Sequence, residues 1–299
     1  MNVSFFFEVL IGGLLAGVMY SLVALGFVLI YKASGVFNFA QGAMVFLAAL
    51  TFVSLLERGV NFWLALGVTL AVMVVLGMAI ERVVLRPLVN QPPITLFMAT
   101  IGLTFVLEGL SQAVWGSQPH GLELGIADVP MQWLADSTGM FISQFDLIAS
   151  GVAAVLVAAL ALFFQYTRVG RALRAVADDH QAALAVGIPL KNIWAIVWAV
   201  AGFVALVAGM LWGARNGVQY ALTFIALKAL PVLILGGFES ILGAIVGGLI
   251  IGASEKLAEV YLGPMVGGGI ESWFAYVIAL LFLLVRPQGL FGEKIIDRV

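Results

Sequence analysis

One polar segment, residues 167–190, stands out in an otherwise apolar sequence. Within it Arg168, Arg171 and Arg174 recur at steps of three, so an α-helix places them on one broad flank. Asp178 follows one turn after Arg174, close enough to pair with it. Guanidinium groups in this arrangement can make charged contacts with a second protein, which are strongest where the interface is partly desolvated. The alternative is an ordinary loop held on one side of a membrane by its positive charge.

Apolar residues in the same segment favour a helix. They recur with the helical period at Leu173, Val176, Ala177 and Leu184. Gly187 followed by Pro189 is a typical helix stop. The segment is therefore predicted to form a short amphipathic helix outside the hydrocarbon, between two membrane spans.

Ionisable residues inside apolar spans are candidates for function, since hydrocarbon penalises them. Glu108 lies in the fourth predicted span and Lys228 near the start of the seventh, which suggests a polar patch or an ion pair on a transport path. The alternative is that each is satisfied structurally or extends to the membrane surface. Glu255 and Glu259 lie at the outer end of the eighth span, where we expect interfacial water to solvate them.

Two amides near the start of the second span, Asn38 and Gln41, are also unfavourable in hydrocarbon. We expect both to face protein or a water-filled path.

The composition excludes several classes of protein. Apolar residues make up 63% of the chain and charged residues only 10%, too few to cover the surface of a soluble domain. The absence of cysteine excludes disulfides, thiolate metal sites and cysteine catalysis, and the two histidines are far apart. Neither a Walker loop nor an H-E-x-x-H motif is present. We expect an integral membrane protein that is not an enzyme and holds no metal or cofactor.

Long apolar runs predict an all-α polytopic fold, in one domain covering residues 1–299. Nine spans are expected, at about 7–31, 35–56, 62–80, 94–115, 147–166, 193–213, 224–235, 241–262 and 270–285. Eight spans with one re-entrant segment remain an alternative. We expect Pro231 to break the seventh span. Close helix contacts are expected at four glycines of the eighth, Gly243, Gly247, Gly248 and Gly252.

The distribution of basic residues predicts the orientation. With nine spans, most lysines and arginines fall on one side, including Lys191, Lys294 and Arg298, whereas the acidic loop 117–146 has none. The positive-inside rule places the C-terminus and segment 167–190 in the cytoplasm. The N-terminus and loop 117–146 are then periplasmic.

Seven motifs in order resemble one family. They are Gly17-Val18-Met19-Tyr20-Ser21-Leu22-Val23-Ala24-Leu25-Gly26, Asn38-Phe39-Ala40-Gln41-Gly42, Arg86-Pro87-Leu88, Thr100-Ile101-Gly102-Leu103, the polar segment from Thr167 to Ile188, Leu235-Gly236-Gly237 with Ser240-Ile241-Leu242-Gly243-Ala244, and Arg286-Pro287-Gln288-Gly289-Leu290-Phe291-Gly292. Together they resemble the high-affinity permease subunits of bacterial ABC importers for branched-chain amino acids, over nearly the whole chain. One departure is Glu239, where the family usually has glycine, and it leaves the substrate open.

The resemblance implies a set of partners in the bacterial inner membrane. These are a homologous second permease, two cytoplasmic ABC ATPases and a periplasmic substrate-binding protein. It also implies that segment 167–190 is the coupling helix that meets the ATPases, through Thr167, Gly170, Arg171, Arg174, Asp178, Ala182 and Gly187. The translocation path is expected to include Tyr20, Asn38, Gln41, Glu108 and Lys228. Permeases of the same family for urea, short amides or aromatic acids are the alternative, and an ion-coupled secondary transporter or a membrane scaffold is the alternative from another class.

Overall fold

A computed structural model of the chain describes residues 3–88, 91–178 and 180–292. Within these ranges all regular secondary structure is helical, apart from isolated β-bridges between single residues. The α-helices are α1 (Val3–Ser34), α2 (Gln41–Glu57), α3 (Phe62–Ala79), α4 (Pro93–Trp115), α5 (Gln132–Thr138), α6 (Gln144–Tyr166), α7 (Arg168–Asp178), α8 (His180–Ala185), α9 (Leu190–Asn216), α10 (Ile225–Gly236), α11 (Ile241–Tyr261), α12 (Gly263–Val266) and α13 (Glu271–Val285). A π-helical turn (Ile80–Leu85) and a 3₁₀ turn (Arg86–Leu88) continue α3, and a 3₁₀ turn (Tyr220–Phe224) precedes α10.

All nine predicted spans lie on apolar helices of the described residues. Six are long enough to cross a bilayer: Val3–Ser34, Phe62–Leu88, Ile94–Trp115, Gln144–Tyr166, Asn192–Asn216 and Ile241–Tyr261. The other three are shorter: Gln41–Glu57, Tyr220–Gly236 and Glu271–Val285. The predicted all-α polytopic membrane protein is confirmed.

Pro231 does not break its helix, contrary to our expectation. The helix α10 runs through it from Ile225 to Gly236. Proline lacks the N–H that would bond to the carbonyl four residues earlier, at Leu227. The Tyr276 hydroxyl donates to that Leu227 carbonyl at 2.6 Å, so the freed acceptor is satisfied by a neighbouring helix. The 3₁₀ turn Tyr220–Phe224 leads directly into this helix.

The chain divides into two compact units. One comprises the described residues of Met1–Ala24, Gly125–Ala159 and Leu227–Val299, and we call it the first unit. Here α1 and α11 meet backbone to backbone. A methyl group on Gly13 would lie 2.7 Å from the Gly252 carbonyl oxygen, and one on Gly17 would collide with the Gly248 carbonyl. The close contacts predicted for the eighth span are confirmed.

The second unit comprises Leu25–Leu124 and Leu160–Ala226. Helix α9 lies at its centre. The helices α2 and α3 pack against α9 at contacts where one of the two facing residues is glycine. A methyl group on Gly77 would lie 2.6 Å from the Trp198 carbonyl oxygen, and one on Gly209 would lie 2.6 Å from that of Val45. Small residues let these helices approach closely, which replaces the hydrophobic driving force that is absent between helices in lipid.

Candidate functional site

The polar segment begins with a capped helix. The helix α6 ends at Tyr166, and the Thr167 hydroxyl accepts a hydrogen bond from the Gly170 amide at 3.2 Å. This is the geometry of an N-cap, which satisfies one of the free donors in the first turn of α7. Thr167, expected to contact an ATPase, therefore has a local structural role.

The two central arginines hold α7 against the end of α6. Arg174 donates from Nη1 to the Phe164 carbonyl at 2.8 Å and from Nη2 to the Gln165 carbonyl at 3.2 Å. Arg171 donates from Nη1 to the Tyr166 carbonyl at 3.1 Å. These carbonyls are acceptors that α6 leaves without intrahelical partners, and they lie at the negative end of its dipole. The arginines therefore fix the angle between the two helices.

Gly170 is required at the same junction. A side chain there would collide with the Phe164 carbonyl, and its β-carbon would lie 2.6 Å from the Phe164 Cα. The resemblance implied that Gly170 contacts an ATPase. The structure shows that the space is filled by α6 of the same chain.

The far end of the segment carries its exposed apolar surface. Leu173 and Val176 are buried as predicted, but Leu184 is 54% exposed, so its place on the buried stripe was wrong. The described part of the expected helix comprises α7 and α8, on either side of residue 179, which lies outside the described residues. Gly187 ends the segment with a φ of +84°, which confirms the predicted stop.

Ala182 and Asp178 are two further residues that were predicted to contact the ATPases. Ala182 is exposed, on the same element as Leu184. The side chain of Asp178 lies outside what the structure describes, so its suggested pairing with Arg174 stays a prediction. The exposed group formed by Ala182, Leu184, Ala185 and Val186 is called the α8 patch below.

An ionic cluster around one buried carboxylate occupies the first unit. The Lys228 ammonium forms an ion pair with the Glu255 carboxylate, lies 3.7 Å from a Glu271 carboxylate oxygen and donates to the Glu271 carbonyl at 3.1 Å. Lys256 is 3.5 Å from the same Glu271 carboxylate. Glu255 is 2% exposed, so the expectation that interfacial water solvates it was wrong. A buried carboxylate needs such a cation to remain charged.

Tyr20 joins this cluster. Its hydroxyl donates to the Glu255 carboxylate at 3.3 Å, so α1, α10 and α11 all contribute to one polar site. The sequence suggested Tyr20 and Lys228 separately, and Glu255 brings them together. Lys228 and Glu108 each have a partner within their own unit, and the suggested pair between them stays a prediction.

Asn38 and Gln41 form the turn that starts α2, which begins at Gln41 rather than at residue 35. The Asn38 carboxamide donates to the Gln41 oxygen at 3.4 Å and accepts from the Ala40 amide at 3.1 Å. Both side chains are fully buried. The Gln41 side chain fills the space that a side chain at position 26 would need, so glycine is required there. Of the two expectations for these amides, the structure supports the one in which they face protein.

Glu108 lies on α4 in the second unit and is 7% exposed. Its carboxylate accepts a hydrogen bond from the Tyr220 hydroxyl at 3.2 Å. Tyr220 is in the 3₁₀ turn before α10, and its ring meets those of Phe46 and Phe224 edge to face. No sequence signal pointed to Tyr220, because a tyrosine at the end of an apolar run is ordinary at a membrane surface.

Two of the quoted motifs meet in the first unit. The Leu290 amide donates to the Leu235 carbonyl at 2.8 Å, and the Phe291 amide to the Gly236 carbonyl at 3.1 Å. Gly237 has a φ of +104° and lies against Gly292, which leaves no room for a side chain. The C-terminal motif therefore lies across the turn between α10 and α11 and is hydrogen-bonded to the end of α10. Glu239 is exposed in that turn.

The sequence is similar to those of known proteins along nearly its whole length. A family model described as "Branched-chain amino acid transport system / permease component" matches residues 9–286. The high-affinity branched-chain amino acid transport system permease protein LivH of Salmonella typhimurium is 29% identical over 309 positions, covering 99% of this chain and 98% of the relative. The corresponding protein BraD of Pseudomonas aeruginosa is 28% identical, covering 98% of each.

Among solved structures, PsaBC from Streptococcus pneumoniae in complex with Fab has a similar fold. The TM-score is 0.51 at 14% identity, covering 94% of this chain and 92% of that one. The fold and sites thus define a multi-pass helical transport subunit without a catalytic domain. The chain belongs to the family of branched-chain amino acid transport permeases of ABC importers.

Proposed function

We propose that this chain translocates branched-chain or other hydrophobic amino acids, as one transmembrane domain covering residues 1–299. Its partners are a homologous second permease, two cytoplasmic ATPases and a periplasmic binding protein, in a bacterial inner membrane. The observation that carries the proposal is the match to amino-acid permeases along nearly the full length of the chain. The permease itself needs no nucleotide site because ATP is hydrolysed on the separate subunits.

The test is uptake by the complete transporter in proteoliposomes. Labelled leucine should accumulate only with ATP inside and the binding protein outside, and excess valine or isoleucine should compete. Competition by urea, short amides or aromatic acids instead would favour the alternative permeases of the family. Uptake driven by an ion gradient without ATP would indicate a secondary transporter.

The orientation is part of the proposal. The N-terminus and loop 117–146 are periplasmic, and segment 167–190 and the C-terminus are cytoplasmic, because basic residues concentrate on that side. The chain has no cysteine, so single cysteines can report it. An Ala175→Cys variant should resist an impermeant maleimide in intact spheroplasts, whereas Ser137→Cys should react. The reverse pattern would refute this topology.

The coupling surface is proposed to be segment 167–190, with the contact made by the α8 patch. This patch leaves Leu184 and Val186 exposed, at 54% and 76%, beside small alanines. Exposed apolar side chains rimmed by polar ones are typical of protein contacts. Thr167, Gly170, Arg171 and Arg174 support the patch by fixing α7 on α6.

The translocation path is proposed to include Tyr20, Asn38, Gln41, Glu108 and Lys228. Lys228 and Glu108 carry the polar functions, each with a tyrosine in its hydrogen-bond network. Asn38 and Gln41 support the wall of the path, because both are buried and bonded to one another.

A further inference from the structure

A cleft of about 290 Å³ opens in the second unit. It is lined by Phe46, Gln112, Ser117, Gln118, Gln219 and Tyr220. The lining offers three carboxamides, two hydroxyls and two aromatic rings, but no charged group. Its size is near the lower end of small-molecule sites, which begin at about 300 Å³. The cleft therefore suits a small ligand with both polar and apolar parts.

Glu108 adds a charge beside this cleft. Gln112 follows it by one turn on α4, so the two side chains share a face, and Tyr220 contacts the carboxylate directly. Glu108 is 7% exposed, yet among the described residues of its unit no basic side chain forms an ion pair with it. A carboxylate this buried is costly without a cation. Its arrangement differs from that of Glu255, whose cation is Lys228 of the same chain.

We propose that the cleft is a binding site for a zwitterionic amino acid, with the missing cation supplied by the ligand's ammonium group. The inference rests on the proposed function and names how this chain recognises its substrate. The ammonium lies at Glu108 and the Tyr220 hydroxyl, and the ligand carboxylate accepts from the amide N–H groups of Gln112 and Gln219. The aliphatic side chain packs on the Phe46 ring.

This arrangement discriminates between the substrate classes of the family. Urea and short amides carry no charge, and acids without an amine offer Glu108 a second negative charge. Either would leave buried polar groups unpaired, which is the strongest basis for rejecting a ligand. The site therefore selects for the amino group in addition to any selection by a binding protein.

The experiment measures protection of a cysteine in the cleft. Ser117→Cys, at a lining residue that makes no proposed contact with the ligand, is introduced into the complete transporter, and its reaction with a maleimide is followed without binding protein. Leucine should slow labelling in a saturable way, whereas 4-methylpentanoate, which is leucine without the amine, should not. Glu108→Gln should raise the leucine concentration for half protection by roughly tenfold or more, as expected for loss of a charged hydrogen bond.

Matched controls separate the site from general effects. Glu123→Gln makes the same charge change on an exposed outer residue and should leave protection unchanged. An unaltered labelling rate without leucine shows that Glu108→Gln has kept its fold. Equal protection by 4-methylpentanoate, or none by leucine while ATP-driven leucine uptake is normal, would overturn the site and leave the proposed function standing. Absence of leucine uptake by the complete parent transporter would overturn the proposed function itself.

Discussion

Replacing Arg171 and Arg174 by glutamate should detach α7 from α6. The two arginines make three hydrogen bonds, to the carbonyls of Phe164, Gln165 and Tyr166. The double variant removes all three and places two negative charges at the negative end of the α6 dipole. We therefore expect a local change at this junction before any ATPase is bound.

The size of the effect follows from the number of bonds and their exposure. Hydrogen bonds from charged groups contribute about 1.5–3 kcal/mol, and partly exposed ones less, so about 1 kcal/mol each is a reasonable value here. Unfavourable charge at a helix end adds roughly 0.3–1 kcal/mol per residue. The sum, about 4 kcal/mol, raises the undocked population of α7 by roughly a thousandfold.

The assay is amide hydrogen exchange of the permease in nanodiscs without ATPases, followed by substrate-stimulated ATP hydrolysis and uptake in the full transporter. Exchange should accelerate in α7 and in the last turn of α6, and hydrolysis should become uncoupled from uptake. Arg168→Glu is the matched control, since the structure shows no bond from Arg168 to these carbonyls. Unchanged exchange in the double variant, with loss of ATPase binding alone, would mean that the arginines contact the partner directly and that our reasoning is wrong.

Three further predictions concern the spans and their connecting turn. Lys228→Met should lower the free energy of unfolding by about 3 kcal/mol, because it leaves Glu255 unpaired. Adding Glu255→Met should restore much of that loss in thermal unfolding. Additive losses from the two substitutions would argue against a buried ion pair. Gly17→Ala should lower the stability of the protein by about 1–3 kcal/mol, because the added methyl group overpacks against α11. At Gly12 a methyl group meets open space, so Gly12→Ala should be neutral or stabilising. Equal melting temperatures for the two variants would contradict this prediction. Glu239→Gly should retain uptake at parental expression, because this carboxylate is exposed in a turn; loss of uptake would give it a mechanistic role.

Hydropathy and small-residue spacing were sufficient for much of the fold. The apolar runs located the six helices long enough to cross a bilayer and the three shorter apolar helices, because hydrocarbon imposes a length that shows directly in the sequence. The contacts of Gly248 and Gly252 also followed from local spacing. The Pro231 prediction was wrong because the sequence cannot show that Tyr276, 45 residues later, supplies the missing donor.

The candidate sites were less predictable. Arg174 was predicted to contact a partner, and its acceptors within the chain are backbone carbonyls, which leave no trace in residue identity. Lys228 was identified without Glu255, since their pairing depends on the packing of α10 on α11. Leu184 followed the helical period of the apolar residues before it, yet its side chain is exposed. In each case the missing information lies in how helices meet.

The glycine contact between α1 and α11 has a consequence for biosynthesis. The residues Gly13 and Gly252 are 239 positions apart. At roughly 5–20 residues per second, α1 leaves the ribosome about 10–50 s before its partner. During that time its glycine face lacks the helix against which it packs. A chain stalled before α11 therefore leaves this face open, which makes it a recognisable feature for membrane quality control.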